Sequence, residues 1–381
     1  MQITGIICEY NPIHLGHQKQ ISLLKAEGHA VVCLMSGNYV QRGHPAIFNK
    51  MLRAEAAVRC GADLVLELPV NYALSSAEGF AAGGVSILSQ LCDHICFGAE
   101  TADREALMLT AKALLQTEFS EKLRAHLDAG SSFPAARQAA VADLGLDSRI
   151  LETPNNILAI EYCKAILSQS SSLLPIPVYR PGSYHDTVAS ATDPSATAVR
   201  KLICSNMPWH NFVPDAATDI FRHAQIHSLT NGEQAILYKL RTMTDKDFAA
   251  LPFGSEGLWR KLMHACRENA TVEEIITATK SKRYTRTRID RMILCAFLGL
   301  TEDALYSPAP YCRVLAFNDT GRSILATHRD GGFFVNIGSD TKHPFQSIEH
   351  RCTSLYGLFS DQPELPDAEM HYRVYYLREE S

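Results

Sequence analysis

Four short runs, residues 3–8, 30–35, 63–68 and 94–97, constrain the first hundred residues of this chain more than any other feature. Each is largely apolar at odd and even positions alike, so neither face of the strand it forms can lie against water. Between them come segments with helical spacing, 17–25, 49–60 and 76–91, the second carrying basic residues on one side. Strands buried on both faces and alternating with helices make a parallel sheet covered on both sides. The pattern predicts an open, doubly wound α/β domain whose ligand crevice lies at the carboxyl ends of its strands.

The rest of the chain changes character twice. Helical pattern runs over 103–168, interrupted at 130–132 and at Pro154, and a strand at 176–180 precedes a Gly/Ser/Asp-rich loop. A helix opens at Ser195, and residues 216–300 are almost wholly helical in pattern. After Tyr311 three runs, 314–317, 323–327 and 333–337, alternate with turn residues. At 381 residues the chain exceeds what one ordinary core holds. We expect an α/β domain over 1–215, a helical domain over 216–305 and a small β-containing C-terminal module over 306–381.

Composition narrows the class of protein. A hydrophobic fraction of 46% with 20% charged residues excludes a disordered chain. A net charge of -5 excludes a protein that coats nucleic acid by uniform positive charge, while permitting a local basic patch. The opening MQITGIICEYNP lacks a basic segment and turns polar too early for a secretion signal, and no apolar run reaches the roughly 18–20 residues of a membrane span. The eleven cysteines are scattered, several inside strand-like runs, and Cys92 and Cys96 with His94 between them lack the second pair a structural zinc site needs. A reduced, cytoplasmic protein without a membrane segment is expected.

Directly after the first strand comes Glu9-Tyr10-Asn11-Pro12-Ile13-His14-Leu15-Gly16-His17. At a strand-to-helix junction Gly16 lets backbone approach a bound nucleotide, and the helix N-terminus offers unpaired N–H groups and a positive dipole end to phosphate. His14 and His17 can then donate to oxygens that gain charge during displacement. The plainer reading is a pair of ordinary histidines near a turn. A second segment, Ser195-Ala196-Thr197-Ala198-Val199-Arg200-Lys201, follows the last strand. Ser195 or Thr197 suits a helix cap, and their hydroxyls with Arg200 one turn later form an anion site. Read alone, this segment is equally a capped helix with a surface arginine.

Together these two segments resemble the superfamily of nucleotidylyltransferases and class I aminoacyl-tRNA synthetases. The first resembles its HIGH signature, the second its phosphate-gripping Ser/Thr-x-x-Arg or KMSKS-like element. Met35-Ser36-Gly37-Asn38-Tyr39-Val40-Gln41-Arg42-Gly43, Thr153-Pro154-Asn155-Asn156-Ile157-Leu158 and Lys280-Ser281-Lys282-Arg283-Tyr284-Thr285 narrow the match. With Glu9 to His17, they resemble the bacterial tRNA(Met) cytidine acetate ligase family over most of residues 1–300. Ile13 and Leu15 stand where Phe and Asn would be expected around the histidines.

The resemblance implies a Rossmann-like domain of nucleotidylyltransferase type. It implies activation of acetate by ATP to acetyl-adenylate, then transfer of acetyl to N4 of the wobble cytidine, position 34, of elongator tRNA(Met). Carried over by motif, ATP would meet Ile7, Cys8, Glu9, Tyr10, Asn11, Pro12, His14, Gly16, His17 and Gln20. Gly98 would admit the adenine or ribose. Asn155 or Asn156, Arg180, Ser195 and Thr197 would complete the nucleotide contacts. His14, His17, Thr197 and Arg200, with Mg²⁺, would neutralise the leaving pyrophosphate.

For RNA, the basic stretch Lys280, Lys282, Arg283, Tyr284, Arg286, Arg288 and Arg291 can contact phosphates and stack on a base. Arg42, Lys50 and Arg53 would extend that surface toward the active-site end. The strip also reads as a solvated helix face. Asp63 and Glu67 invite a reading as metal ligands, but in a strand beside apolar neighbours the structural hydrogen-bonding role is favoured. Two other functions stay open: an adenylyltransferase for a small phosphorylated metabolite, disfavoured because about half the chain lies outside the nucleotide domain, and a binding-only RNA protein, disfavoured by intact phosphate-facing elements.

Overall fold

The computed structural model describes residues 1–180, 194–328, 332–335 and 343–378. In chain order its strands are β1 (Ile3–Cys8), β2 (Ala30–Ser36), β3 (Tyr39–Val40), β4 (His44–Pro45), β5 (Leu64–Leu68), β6 (His94–Ala99), β7 (Leu174–Tyr179), β8 (Cys312–Phe317), β9 (Phe334–Val335) and β10 (Tyr375–Tyr376). The main sheet runs β10-β8-β5-β2-β1-β6-β7, with β9 beside β8. Strands β5, β2, β1, β6 and β7 are mutually parallel. The chain builds outward from β1 through β2 to β5, then returns to the other side of β1 to lay down β6 and β7. The order therefore reverses between β1 and β6, where an open α/β sheet leaves its crevice.

Both faces of the central strands are apolar, as the runs predict. Val32, Leu34, Leu64 and Leu66 point into one core, packed with the Ala77–Leu88 and Pro154–Ser168 helices. Their neighbours Val31, Cys33, Met35 and Val65 point into another, under the Leu15–Ala26, Lys50–Arg59 and Ala196–Cys204 helices. Side-chain caps fix where three of the helices begin: Asn49 accepts from Leu52 N–H, Ser76 from Gly79 N–H and Ser195 from Ala198 N–H.

The helices Leu229–Thr242, Leu258–Glu268, Val272–Thr279 and Arg286–Leu298 enclose a third core. Tyr39 and Leu74 enter it from the α/β side, and Cys352, Tyr356 and Phe359 from the tail. The β3–β4 hairpin docks on this region through Gly43. A Cβ there would lie 2.5 Å from the Arg291 backbone nitrogen, and its φ of +81° suits only glycine.

The tail departs from the sequence expectation. Strand β8 does not start a sheet of its own but pairs antiparallel with β5, and β10 pairs parallel with β8. Residues 323–327, expected as strand, lie largely in the Asp319–Ala326 helix, which Asn318 caps through Gly321 N–H. The alternation there was too short to separate two periods. Residues 336 and 337 of the third expected run lie outside the described residues, as does most of the polar loop after Arg180.

Asp63 and Glu67 are structural. Asp63 accepts from Val31 N–H at 2.7 Å, from Lys25 Nζ at 2.8 Å and from Asn318 Nδ2 at 2.9 Å. Glu67 accepts from Lys50 Nζ, which also donates to Glu369, itself paired with Arg313 and Thr353. Lys50 and Arg53 are buried at 1% and 0% exposure, so neither extends a surface. Arg53 instead donates to the carbonyls of Phe48, Glu9, Ser36 and Gly37, tying the loop after β1 to the loop after β2.

Candidate active site

A cleft of about 230 Å³ opens over the carboxyl ends of β1 and β6, at the reversal of strand order. Its floor is the end of β1: Ile7, Cys8, Glu9, Tyr10 and Asn11 line it. Tyr10 takes a φ of +41°, an unfavourable conformation for a side chain of its size, where the chain turns out of the strand. Loop contacts hold that turn. Asn11 Oδ1 accepts from Ile47 N–H at 2.7 Å, and Glu9 Oε1 from Gln41 N–H at 2.9 Å.

His14 is the N-terminal flanking residue of the Leu15–Ala26 helix, and His17 sits in its first turn beside Gly16. The two rings stack with centroids 3.6 Å apart, and Tyr10 packs on His17 at 4.9 Å. His17 Nδ1 accepts the His14 backbone N–H at 3.3 Å, which assigns its proton to Nε2. Burial, with Arg180 and Arg200 nearby, pushes His14 down to about 3. Burial, then His14 and Arg180, holds His17 well below its ordinary value. Both imidazoles are therefore neutral near pH 7 and act as hydrogen-bond donors, not as cations. Neither His14 ring nitrogen has a partner among the described residues, although the side chain is 1% exposed. A buried neutral imidazole has one N–H to donate and one nitrogen to accept, so this ring is available to a ligand in the cleft.

The Ala196–Cys204 helix brings the second element to the same cleft. Ser195 and Thr197 line it. Arg200 donates from Nη1 to Asn11 O at 2.6 Å and from Nη2 to Thr197 Oγ1 at 3.1 Å, clamping the helix onto the loop after β1. Two helix N-termini, with their unpaired N–H groups, thus converge with a hydroxyl and a guanidinium, a combination that holds a polyphosphate.

The opposite wall is made at β6. A Cβ on Gly98 would come 3.3 Å from Arg180 Cδ, so a larger residue there would crowd Arg180 at that wall. Glu100 accepts from Thr153 Oγ1, Asn155 Nδ2 and Asn156 N–H, capping the Pro154–Ser168 helix. Asn155 lines the cleft. Asn156 is 2% exposed, and its side chain is spent on Thr101 N–H and Oγ1. Gln20 and Arg180 also line the cleft; Pro12, His14, Gly16, Asn156 and Arg200 stand behind its surface.

Sequence reasoning missed Gln41, Ala77, Phe80, Phe97, Ile157, Leu158 and Tyr162, which line the cleft as well. Gln41, Ile157 and Leu158 fall inside the quoted segments, whereas Phe80 and Tyr162 look like ordinary core residues in any helical pattern. Arg42 lines this cleft too. Among the described residues no group of three or more His, Cys, Asp or Glu side chains converges as a metal site, and Glu9 is the one carboxylate lining the cleft.

The basic strip lies apart from the cleft and is largely paired within the chain. Arg286 binds Glu273 through two N–H···O bonds, Arg283 and Arg288 flank Glu256, and Tyr284 donates to Glu256 O at 2.6 Å. Lys280, Lys282 and Arg283 are exposed, while Arg291 is buried. No helix among the described residues is long and apolar enough to cross a membrane.

Comparison with known proteins identifies the family and the fold. The family model described as HIGH Nucleotidyl Transferase matches residues 1–369. A tRNA(Met) cytidine acetate ligase of Clostridium acetobutylicum is 35% identical over 387 residues, covering 94% of this chain and 96% of its own. One from Clostridium novyi is 39% identical over 350 residues, covering 85% and 86%. The apo crystal structure of Thermotoga maritima TmcAL superposes with a TM-score of 0.90 at 27% identity over the whole of both chains. The same protein bound with alpha-thio ATP gives 0.88 at 27% identity, again over both whole chains. The chain belongs to the HIGH nucleotidyl transferase family and, within it, to the tRNA(Met) cytidine acetate ligases.

Proposed function

We propose that this chain uses ATP to activate acetate and acetylates N4 of the wobble cytidine, C34, of elongator tRNA(Met). The observation that carries the reading is that neutral His17, stacked on His14, and the Thr197 hydroxyl line one crevice, with Arg200 bonded to Thr197 behind its surface. In the first step an acetate oxygen attacks the α-phosphorus and the bond to the β-phosphate bridging oxygen breaks, giving acetyl-adenylate and pyrophosphate. In-line placement and neutralisation of the leaving charge are what such a step requires. His17 Nε2–H, the buried His14 ring, Thr197 and Arg200 supply them, and the two helix N-termini add their dipoles. In the second step N4 attacks the acetyl carbon, AMP leaves, and N4 gives up a proton.

The apolar wall of Phe80, Phe97, Leu158 and Tyr162 suits a purine, with Gly98 and Asn155 beside it. Among the described residues the cleft's lining holds no cluster of metal-ligating side chains. Mg²⁺ would arrive on the triphosphate, because this ion keeps its waters and prefers phosphate oxygens, and Glu9 lines the same cleft. For the tRNA, the exposed Lys280, Lys282 and Arg283 would meet phosphates. Arg286 and Arg288 shape the adjoining loops, and Tyr284 fixes the turn between them. On this reading residues 1–215 carry the chemistry and 216–305 the RNA contacts, in the cytoplasm.

The test is acetylation of purified tRNA with labelled acetate and ATP, without acetyl-coenzyme A. Label on the wobble cytidine of elongator tRNA(Met) is expected. Acetate-dependent ATP–pyrophosphate exchange without transfer to any tRNA would redirect the activity to a small-molecule acceptor.

A further inference from the structure

A second cavity, of about 560 Å³, opens where the helical region meets the α/β layer. Phe253, Trp259 and Tyr306 give it aromatic surfaces, and Arg288, Arg291 and Glu302 give it polar ones. It is a built site. Arg288 donates to Phe253 O at 2.9 Å, Ser255 O at 3.2 Å and Ser255 Oγ at 2.8 Å, organising residues 253–256. Phe253 and Glu256 in that loop have φ of +65° and +62°, a strain that folded chains retain mainly at sites of use.

Arg291 is the telling residue. It is 8% exposed, its guanidinium lies 5.1 Å from the Phe253 ring centroid, and it has no carboxylate in ion-pair contact among the described residues. Its Nη1 makes one long bond, 3.4 Å, to Gln41 O, and its Nε has no partner among the described residues. A buried cation left this short of acceptors is completed by something from outside. Tyr306, by contrast, presents a 60% exposed ring at the cavity.

The cavity also adjoins the cleft. Ser76 lines the cavity and Ala77, the next residue, lines the cleft. Gln41, whose carbonyl Arg291 holds, lines the cleft as well. The cavity and the cleft are thus bordered by consecutive residues at 76 and 77 and joined through the Arg291–Gln41 contact. Aromatic faces with a guanidinium suit one ligand chemistry above others, an unstacked nucleobase with its phosphate.

We infer that this cavity receives the nucleotide flanking the acetylated cytidine, its base on Tyr306 and Trp259 and a phosphate or base oxygen on Arg291. The inference rests on the RNA substrate proposed above. It assigns to Arg291 and Tyr306, not to the paired arginines of the strip, the contact that holds the anticodon loop open while C34 enters the cleft.

The experiment uses the full chain and anticodon stem-loop RNAs carrying 2-aminopurine on either side of the target cytidine. Tyr306→Ala, at an exposed ring, keeps the fold, which acetate-dependent ATP–pyrophosphate exchange verifies. Expected is a fluorescence change at one flanking position with wild type, its loss in Tyr306→Ala, and RNA affinity weakened by about tenfold, the effect of one lost base–aromatic stack. Equal affinity and an equal fluorescence change in the two proteins overturn the inference. Wild type that binds RNA with the flanking signal but leaves cytidine unacetylated retains the cavity's role and overturns the proposed function. Wild type that binds no RNA overturns both.

Discussion

Replacing His17 with alanine separates the chemistry of the cleft from its architecture. Its Nδ1 is taken by the His14 N–H, so a single donor, Nε2–H, is lost from the phosphate site. Removing one such preorganised donor costs roughly 10²–10³ in rate. The structural loss is two ring contacts, the stack on His14 at 3.6 Å and the tilted contact with Tyr10 at 4.9 Å. At about 0.5–1.5 kcal/mol each, these amount to roughly 1–3 kcal/mol, a fall in Tm of several degrees that leaves the protein folded at 25 °C. The assay is acetate-dependent ATP–pyrophosphate exchange at saturating ATP, with circular dichroism on the same samples. His17→Gln, whose amide can donate, should recover part of the rate. Exchange by His17→Ala within about threefold of wild type would refute the donor role. Loss of the circular-dichroism signal together with activity would show that the ring serves the fold instead.

Four further outcomes follow from the same geometry. With His14 held at about 3 and His17 well below 6.5, neither imidazole titrates between pH 6 and 9, so exchange should show no inflection from them there. Because a histidine in the unfolded chain titrates near 6.5, the unfolded state binds more protons below that value. Stability measured by urea should therefore fall as pH drops from about 6.5 toward 3, less steeply in His14→Phe. Lys50→Met leaves Glu67 and Glu369 buried with one cation fewer, at a cost of about 3–5 kcal/mol, read as a lowered urea midpoint. Lys282→Glu should weaken tRNA binding at low salt and flatten the log Kd against log salt slope by about one or more, while exchange is unchanged.

Much of the cleft was legible because its parts lie in short contiguous segments. The apolar runs announced β1, β2, β5 and β6, and a phosphate site at a strand-to-helix junction can be read from one stretch such as His14 to His17. What the sequence concealed is assembled from distant pieces. Phe80 and Tyr162 reach the cleft only because the Ala77–Leu88 and Pro154–Ser168 helices pack on the same sheet face. Arg53 looked like surface charge because nothing local shows that four carbonyls surround it. The basic strip looked like free charge because its partners, Glu256 and Glu273, lie ten or more positions away in sequence. The tail was misread for the same reason, since its strand pairs with one laid down far earlier.

That last pairing has a consequence for how the protein is made. Asn318 and Asp63, joined side chain to side chain, are 255 residues apart. On the ribosome, every residue of the cleft emerges before β8, Arg313 and Glu369 exist to cover the free edge of β5 and to close the ion cluster around Lys50. A chain that stalls short of residue 312 has its histidines, its glycines and its arginine clamp, yet carries them on a sheet with a bare edge open to wrong pairing. Completion of synthesis is thus a condition of a fully paired sheet beneath the cleft.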